Sequence, residues 1–104
     1  MAQFDVHLNS GRSRREVPFF VSVQSGEFAS SGRLVVVPLL LASLERHPMT
    51  RVFEIEDRAV VANPLLIFSI EVERLGDRVT TLSDDEGASD IMDALDRVIS
   101  RAYG

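Results

Sequence analysis

Apolar and polar side chains alternate along residues 3–9, with Phe4, Val6 and Leu8 on one side and Gln3, Asp5 and His7 on the other. That period predicts a half-buried strand whose polar side is wet. Asn9-Ser10-Gly11 ends it, Arg12, Ser13, Arg14 and Arg15 follow, and PFFVSVQ at 18–24 resumes an extended pattern. The two runs predict an antiparallel hairpin with a long basic tip. Residues 25–32, SGEFASSG, are turn chemistry around one aromatic, Phe28. The next stretch, LVVVPLLLASL at 34–44, is almost entirely apolar. Pro38 has no N–H for a central ladder, so the run predicts a strand over 34–37, a break or edge at Pro38, and a separate segment over 39–44. Residues 52–55 and 59–62, around Glu56-Asp57-Arg58, predict a second hairpin. Residues 65–73 join a wholly apolar LLIF to an alternating SIEVE, which suits either a strand or a short helix; 78–82, after the turn Leu75-Gly76-Asp77, predicts a short strand.

The period then changes. Ile91, Ala94, Leu95, Val98, Ile99 and Ala102 form one apolar stripe at helical spacing, opposite Asp93, Asp96, Arg97 and Ser100. Ser83 and Glu86 have capping-box spacing, and Ser89 is a second candidate cap. Asp90 and Asp93 early, with Arg97 and Arg101 late, suit the helix dipole, and Asp93 and Arg97 are spaced for an ion pair. Short strands followed by one terminal helix predict an α+β domain spanning residues 1–104.

Composition adds size and partners. A chain of 104 residues, 45% hydrophobic and 26% charged, holds one core but leaves much of its surface wet. The surplus apolar content of LVVVPLLL and the helix stripe therefore predicts a homodimer. There is no cysteine, which excludes disulfides and thiolate metal sites. No basic-then-apolar leader or spanning run is present in these residues, so a cytoplasmic location is expected, with no membrane contact. The net charge of -5 is uneven: residues 1–51 hold six arginines against four acids, residues 52–104 five against twelve. An acidic second half disfavours direct nucleic-acid binding and favours a protein partner.

GxGxxG, Walker lysine, HExxH and GxSxG patterns are all missing, which leaves no sequence support for nucleotide binding or the common hydrolase mechanisms. His7 and His47 lack flanking ligands and are expected in solvent. Asp84-Asp85-Glu86 fits a helix N-terminus better than a cation site. No metal, cofactor or catalytic residue is expected. The loop bearing Arg12, Arg14 and Arg15 is the one basic cluster, suited to solvent, an acidic peptide or RNA.

MAQFDV, then VSVQS, then Gly32-Arg33 running into VVVPL, the turn at Leu75-Gly76-Asp77 and the closing DIMDALDRVIS resemble, in order and spacing, the CcdB family. The resemblance implies a small antiparallel barrel-like sheet, SH3-like and of the CcdB/MazF type, with a C-terminal α-helix. It further implies a homodimeric, non-enzymatic toxin of a bacterial toxin–antitoxin module. Such toxins bind the DNA gyrase A subunit, trap its cleaved-DNA complex, and are neutralised by a partly disordered acidic antitoxin. Residue by residue, the gyrase-binding surface falls on Gly26, Glu27, Phe28, Asp96, Ile99, Ser100, Tyr103 and Gly104. Glu27 stands where the family is more apolar. The best-known members end in Trp-Gly-Ile, whereas Ser100-Arg101-Ala102 occupies that register here and Tyr103-Gly104 comes about one helical turn later. Arg12, Arg14, Arg15 and Arg33 are the expected contacts for an acidic antitoxin. Two alternatives accompany this reading: a MazF-like endoribonuclease toxin using Arg12, Ser13 and Arg14, and an inactive relative that binds antitoxin alone.

Overall fold

The computed structural model describes residues 2–82 and 86–100, apart from the side chains of 28, 29 and 100. Among these residues seven strands form one antiparallel, nearly closed barrel-like sheet, and a single α-helix follows, an α+β fold. The strands are β1 (Asp5–Leu8), β2 (Phe19–Ser22), β3 (Arg33–Leu41), β4 (Phe53–Ile55), β5 (Arg58–Ala62), β6 (Phe68–Glu71) and β7 (Arg78–Thr81), and the helix is α1 (Glu86–Ser100). Their order is β4-β5-β3-β2-β1-β7, with β6 also paired to β3.

The predicted first hairpin is present, with Val6 opposite Val21 and Leu8 opposite Phe19. Both faces of β2 are covered, because the curled sheet has two cores. Phe19, Val21, Val37, Leu39, Phe53, Val60, Ile91 and Leu95 share the larger one, under α1. Phe20, Leu34 and Val36 form the smaller, with Val17, Ile70, Val72 and Leu75 packed on it. LVVVPLLL, expected to supply a face between protomers, is thus largely consumed within the chain.

Continuity of β3 through Pro38 corrects the expected break. Val23 N–H donates to Val35 O, and antiparallel alternation then puts the Pro38–Phe20 pair among those not hydrogen-bonded. The proline nitrogen points to the other side of β3, at the junction where β6, paired with 33–36, gives way to β5, paired with 39–41. No ladder donor is required there, and the Pro38 carbonyl still accepts from Asn63 N–H at 3.1 Å.

The second hairpin agrees with its prediction: Glu56 and Asp57, at φ 49° and 63°, make a two-residue turn in which both central residues are left-handed. Residues 65–73 combine both readings, with β6 between the 3-10 turns Pro64–Leu66 and Val72–Arg74. SGEFASSG is more regular than a plain turn. It is a 3-10 helix, Gly26–Ser31, whose Ser25 hydroxyl accepts from Glu27 N–H and whose end is set by left-handed Gly32 at φ 79°.

Helix α1 begins at Glu86, so Ser89 lies inside it and is not its cap; Ser83 lies outside the described residues. Ile91, Ala94 and Leu95 are buried as the stripe predicts, Val98 is half-buried and Ile99 is exposed. Arg97 reaches across to donate to Met49 O at 3.1 Å.

The expectation for β1 needs correcting. Asp5 and His7 are buried, not wet, and Leu8 is 36% exposed. The segment entering β7 crosses their side of β1: His7 Nδ1–H donates to Gly76 O at 3.1 Å, and Arg78 lies 3.9 Å from Asp5. Gly76 permits this crossing, since an added Cβ would sit 2.6 Å from Leu8 O, a backbone atom. Gly76→Ala is therefore expected to destabilise by about 1–3 kcal/mol, against the small gain alanine usually brings over glycine. Chemical denaturation measures it, and an unchanged or raised midpoint would refute the close approach.

Candidate functional site

Three surfaces collect the residues singled out above. The first is the 3-10 helix Gly26–Ser31, carrying Gly26, Glu27 and Phe28, with the first two exposed. It borders an open depression lined by Val23, Ser25, Ser31, Val35 and Ile67. The second is the far end of α1, where Asp96 and Ile99 are exposed, Ile99 at 60%. The Ser100 side chain, Tyr103 and Gly104 lie outside the described residues.

A further exposed apolar segment lies between β5 and β6, where the sequence alone does not announce a surface. Leu65, Leu66, Ile67 and Phe68 are 65%, 50%, 39% and 40% exposed, an unusual run of large apolar side chains at a surface. The turn Pro64–Leu66 packs against α1, and Ile67 lines the depression beside the 3-10 helix. The segment does not make one face: Ile67 lines that depression, whereas Phe68 meets the Phe20 ring edge-on and lines a depression on the other side of β6. Its sequence signal was LLIF, which resembles a core segment until its partners are known.

The third surface is the tip of the first hairpin. Arg12, Arg14 and Arg15 are exposed there, and the loop is tied to the end of β3 by Leu41 N–H donating to Glu16 O. Arg33 is not with them. It sits eight residues earlier on the same strand, roughly 26 Å away along it. Its Nε and Nη2 donate to Ser69 Oγ and Ser69 O at 2.8 and 3.0 Å, with Glu71 3.8 Å off. The four arginines therefore form two sites, not one.

Arg12, Ser13 and Arg14 do not converge either. Arg14 lines a cleft with Arg15, whereas Arg12 lines a neighbouring depression with Phe20, Phe68 and Arg74. Ser13 Oγ accepts from Asn9 Nδ2 at 3.1 Å, a bond that shapes the loop. His7 is sealed in, its Nε2 unpartnered and out of solvent, so it reaches no ligand; His47 is exposed as expected. Asp84 and Asp85 lie outside the described residues, while Glu86 is exposed beside Arg51 at 3.9 Å. Among the described residues no three His, Cys, Asp or Glu side chains are grouped to hold a metal ion, and no helix is long and apolar enough to cross a membrane.

These surfaces offer two exposed helical segments, the exposed apolar side chains of Leu65, Leu66 and Ile67, and a separate cationic tip. Comparison with known proteins narrows the choice. A search of curated proteins finds no match, but residues 3–100 match the CcdB protein family. A match over nearly the whole chain, on a barrel-like antiparallel sheet closed by a terminal helix, places this chain in the CcdB family, the toxins of toxin–antitoxin modules.

Proposed function

We propose that this toxin acts in the cytoplasm as a homodimer that binds the DNA gyrase A subunit and traps its cleaved-DNA complex, working by binding and not by catalysis. The observation that carries the reading is the exposure of the positions expected to make the contact: Gly26 and Glu27 on the 3-10 helix, with apolar Ile67 lining the depression beside them, and Asp96 and Ile99 on α1. Ser100, Tyr103 and Gly104 complete the proposed contact set; Tyr103, Gly104 and the side chain of Ser100 lie outside the described residues. Exposed Leu65 and Leu66 offer an apolar face for a second copy, since LVVVPLLL is already spent on the core. A stable interface buries about 800 Å² per partner, around an apolar centre of the kind these two side chains provide.

Expression from an inducible promoter in bacteria carrying a tagged gyrase A subunit tests this. Growth arrest, retention of the chain on the tagged subunit and accumulation of cleaved DNA are the expected results, and Ile99→Asp is expected to abolish retention. Sedimentation at micromolar concentration is expected to give a dimer. Growth arrest with intact gyrase and degraded RNA would replace this mechanism with the ribonuclease one. A monomer would remove the dimer from it.

A further inference from the structure

Three consecutive residues ahead of β4 tie the sheet to the helix. Thr50 is buried, and its hydroxyl accepts from Ala62 N–H on β5 at 3.0 Å. On either side of it the chain turns to α1: Arg51 N–H donates to Asp90 Oδ2 at 2.7 Å, and Met49 O accepts from Arg97 Nη2 at 3.1 Å. The Arg51 guanidinium also lies over the Phe53 ring at 5.6 Å, and that ring packs on Gly87 so closely that no Cβ fits between them. Asp90 and Arg97 are seven residues apart, close to two full turns, so both project from one side of α1, about 10 Å apart along its axis. Residues 49–51 are thus a strap, anchored on β5 and fastened twice to the helix.

The apolar stripe alone does not fix the helix so closely. Hydrophobic contact has no direction, so buried Ile91, Ala94 and Leu95 hold α1 against the sheet but set its roll loosely, whereas a hydrogen bond prefers one geometry. We propose that Asp90 and Arg97 are positioning residues: through the strap they set the roll of α1, and with it where Asp96 and Ile99 stand for a protein partner. A helix with its side chains is about 5–6 Å in radius, so a roll of about 20° carries the Ile99 side chain through about 2 Å, enough to spoil a packed contact. The Arg51–Glu86 pair adds little, being exposed and 3.9 Å apart. Asp93 supplies a natural comparison. It lies between the two ties, exposed, and makes no hydrogen bond or ion pair among the described residues. The proposal rests on the gyrase reading for the identity of the partner, and adds to it what holds the contact residues in place.

Methyl NMR of the full chain, together with titration against the gyrase A subunit, tests this. Asp90→Ala is expected to shift the methyl resonance of Ile99, nine residues away, and both Asp90→Ala and Arg97→Met to weaken binding about tenfold. Neither substitution touches the core, and the amides of β2 and β3 are expected to stay protected in every variant. Asp90→Asn keeps an oxygen for Arg51 N–H, so it is expected to keep the parent's methyl position and affinity. Asp93→Ala removes the same charge from the same stretch of helix and is expected to keep both as well. Equal losses of affinity in Asp90→Ala and Asp93→Ala would overturn the positioning role, as would a loss in Asp90→Ala with the Ile99 methyl unmoved, because each marks a direct or purely electrostatic contact. A shifted methyl with binding at the parent's level would overturn it too. A parent chain that fails to bind the gyrase A subunit refutes the gyrase reading alone. The Ile99 methyl then judges the strap by itself, and an unmoved resonance in Asp90→Ala refutes it.

Discussion

Phe19→Ala is expected to lower the stability of the chain by about 3–5 kcal/mol. Phe19 is 1% exposed, lies on β2 in the larger core with Val21, Val37 and Leu39, and stands opposite Leu39 on β3 and Leu8 on β1. Removing its ring takes away most of the buried surface of a large side chain at the centre of the sheet, where strands on both sides prevent collapse into the space. A domain of this size has about 5–15 kcal/mol to lose, so the variant stands near the limit of folding at physiological temperature. Arg58 loses its ring contact as well. Phe19→Leu fills most of the volume and is expected to cost less than about 1.5 kcal/mol. Urea denaturation of both variants decides the matter. A loss under about 1 kcal/mol for Phe19→Ala would mean that the ring is not enclosed as described.

Features set by local periodicity or turn chemistry were legible in the sequence. The 3.6-residue stripe located α1, and Glu56-Asp57 between two β runs located the tight hairpin, because each depends on neighbours a few residues away. The course of the chain at Pro38 is not legible, for the opposite reason. Whether a missing N–H matters depends on which strand lies beside it, and here β6 and β5 meet there. His7 and Asp5 read as a wet face since nothing local announces that the segment at Gly76 will cross them. The candidate site follows the same division. Exposure of Asp96, opposite the stripe, is readable from the helix, but that of Ile99, on the stripe itself, and of Leu65 to Phe68 is not, because an apolar run looks the same whether it is covered or not. Arg33 and the hairpin arginines looked like one cationic set by charge. Strand length separates them, and Arg58, distant in sequence, lines a cleft with Arg14 and Arg15.

The helix offers the second large effect, and with it a way to separate folding from binding. Leu95 is 5% exposed within the larger core, so Leu95→Ala is expected to cost about 2–5 kcal/mol. Ile99 follows it by one helical turn on nearly the same side, about 6 Å farther along the axis, and is 60% exposed. Azimuth does not distinguish the two; the extent of the core does. Periodicity fixes which side of a helix is apolar, but the sheet beneath decides where that side stops being covered, and Ile99 overhangs it. Ile99→Ala is accordingly expected to shift stability by no more than about 0.5 kcal/mol. If the overhang meets gyrase, the same substitution removes a central apolar contact and weakens binding by about 2 kcal/mol, close to thirtyfold. Thermal denaturation and a binding titration on both variants give the pattern directly. Leu95→Ala should lose stability yet, at temperatures where it remains folded, bind as the parent does, while Ile99→Ala should remain as stable and bind poorly. Equal effects of the two substitutions on stability would place Ile99 in the core, and unchanged binding by a folded Ile99→Ala would remove the helix end from the gyrase surface.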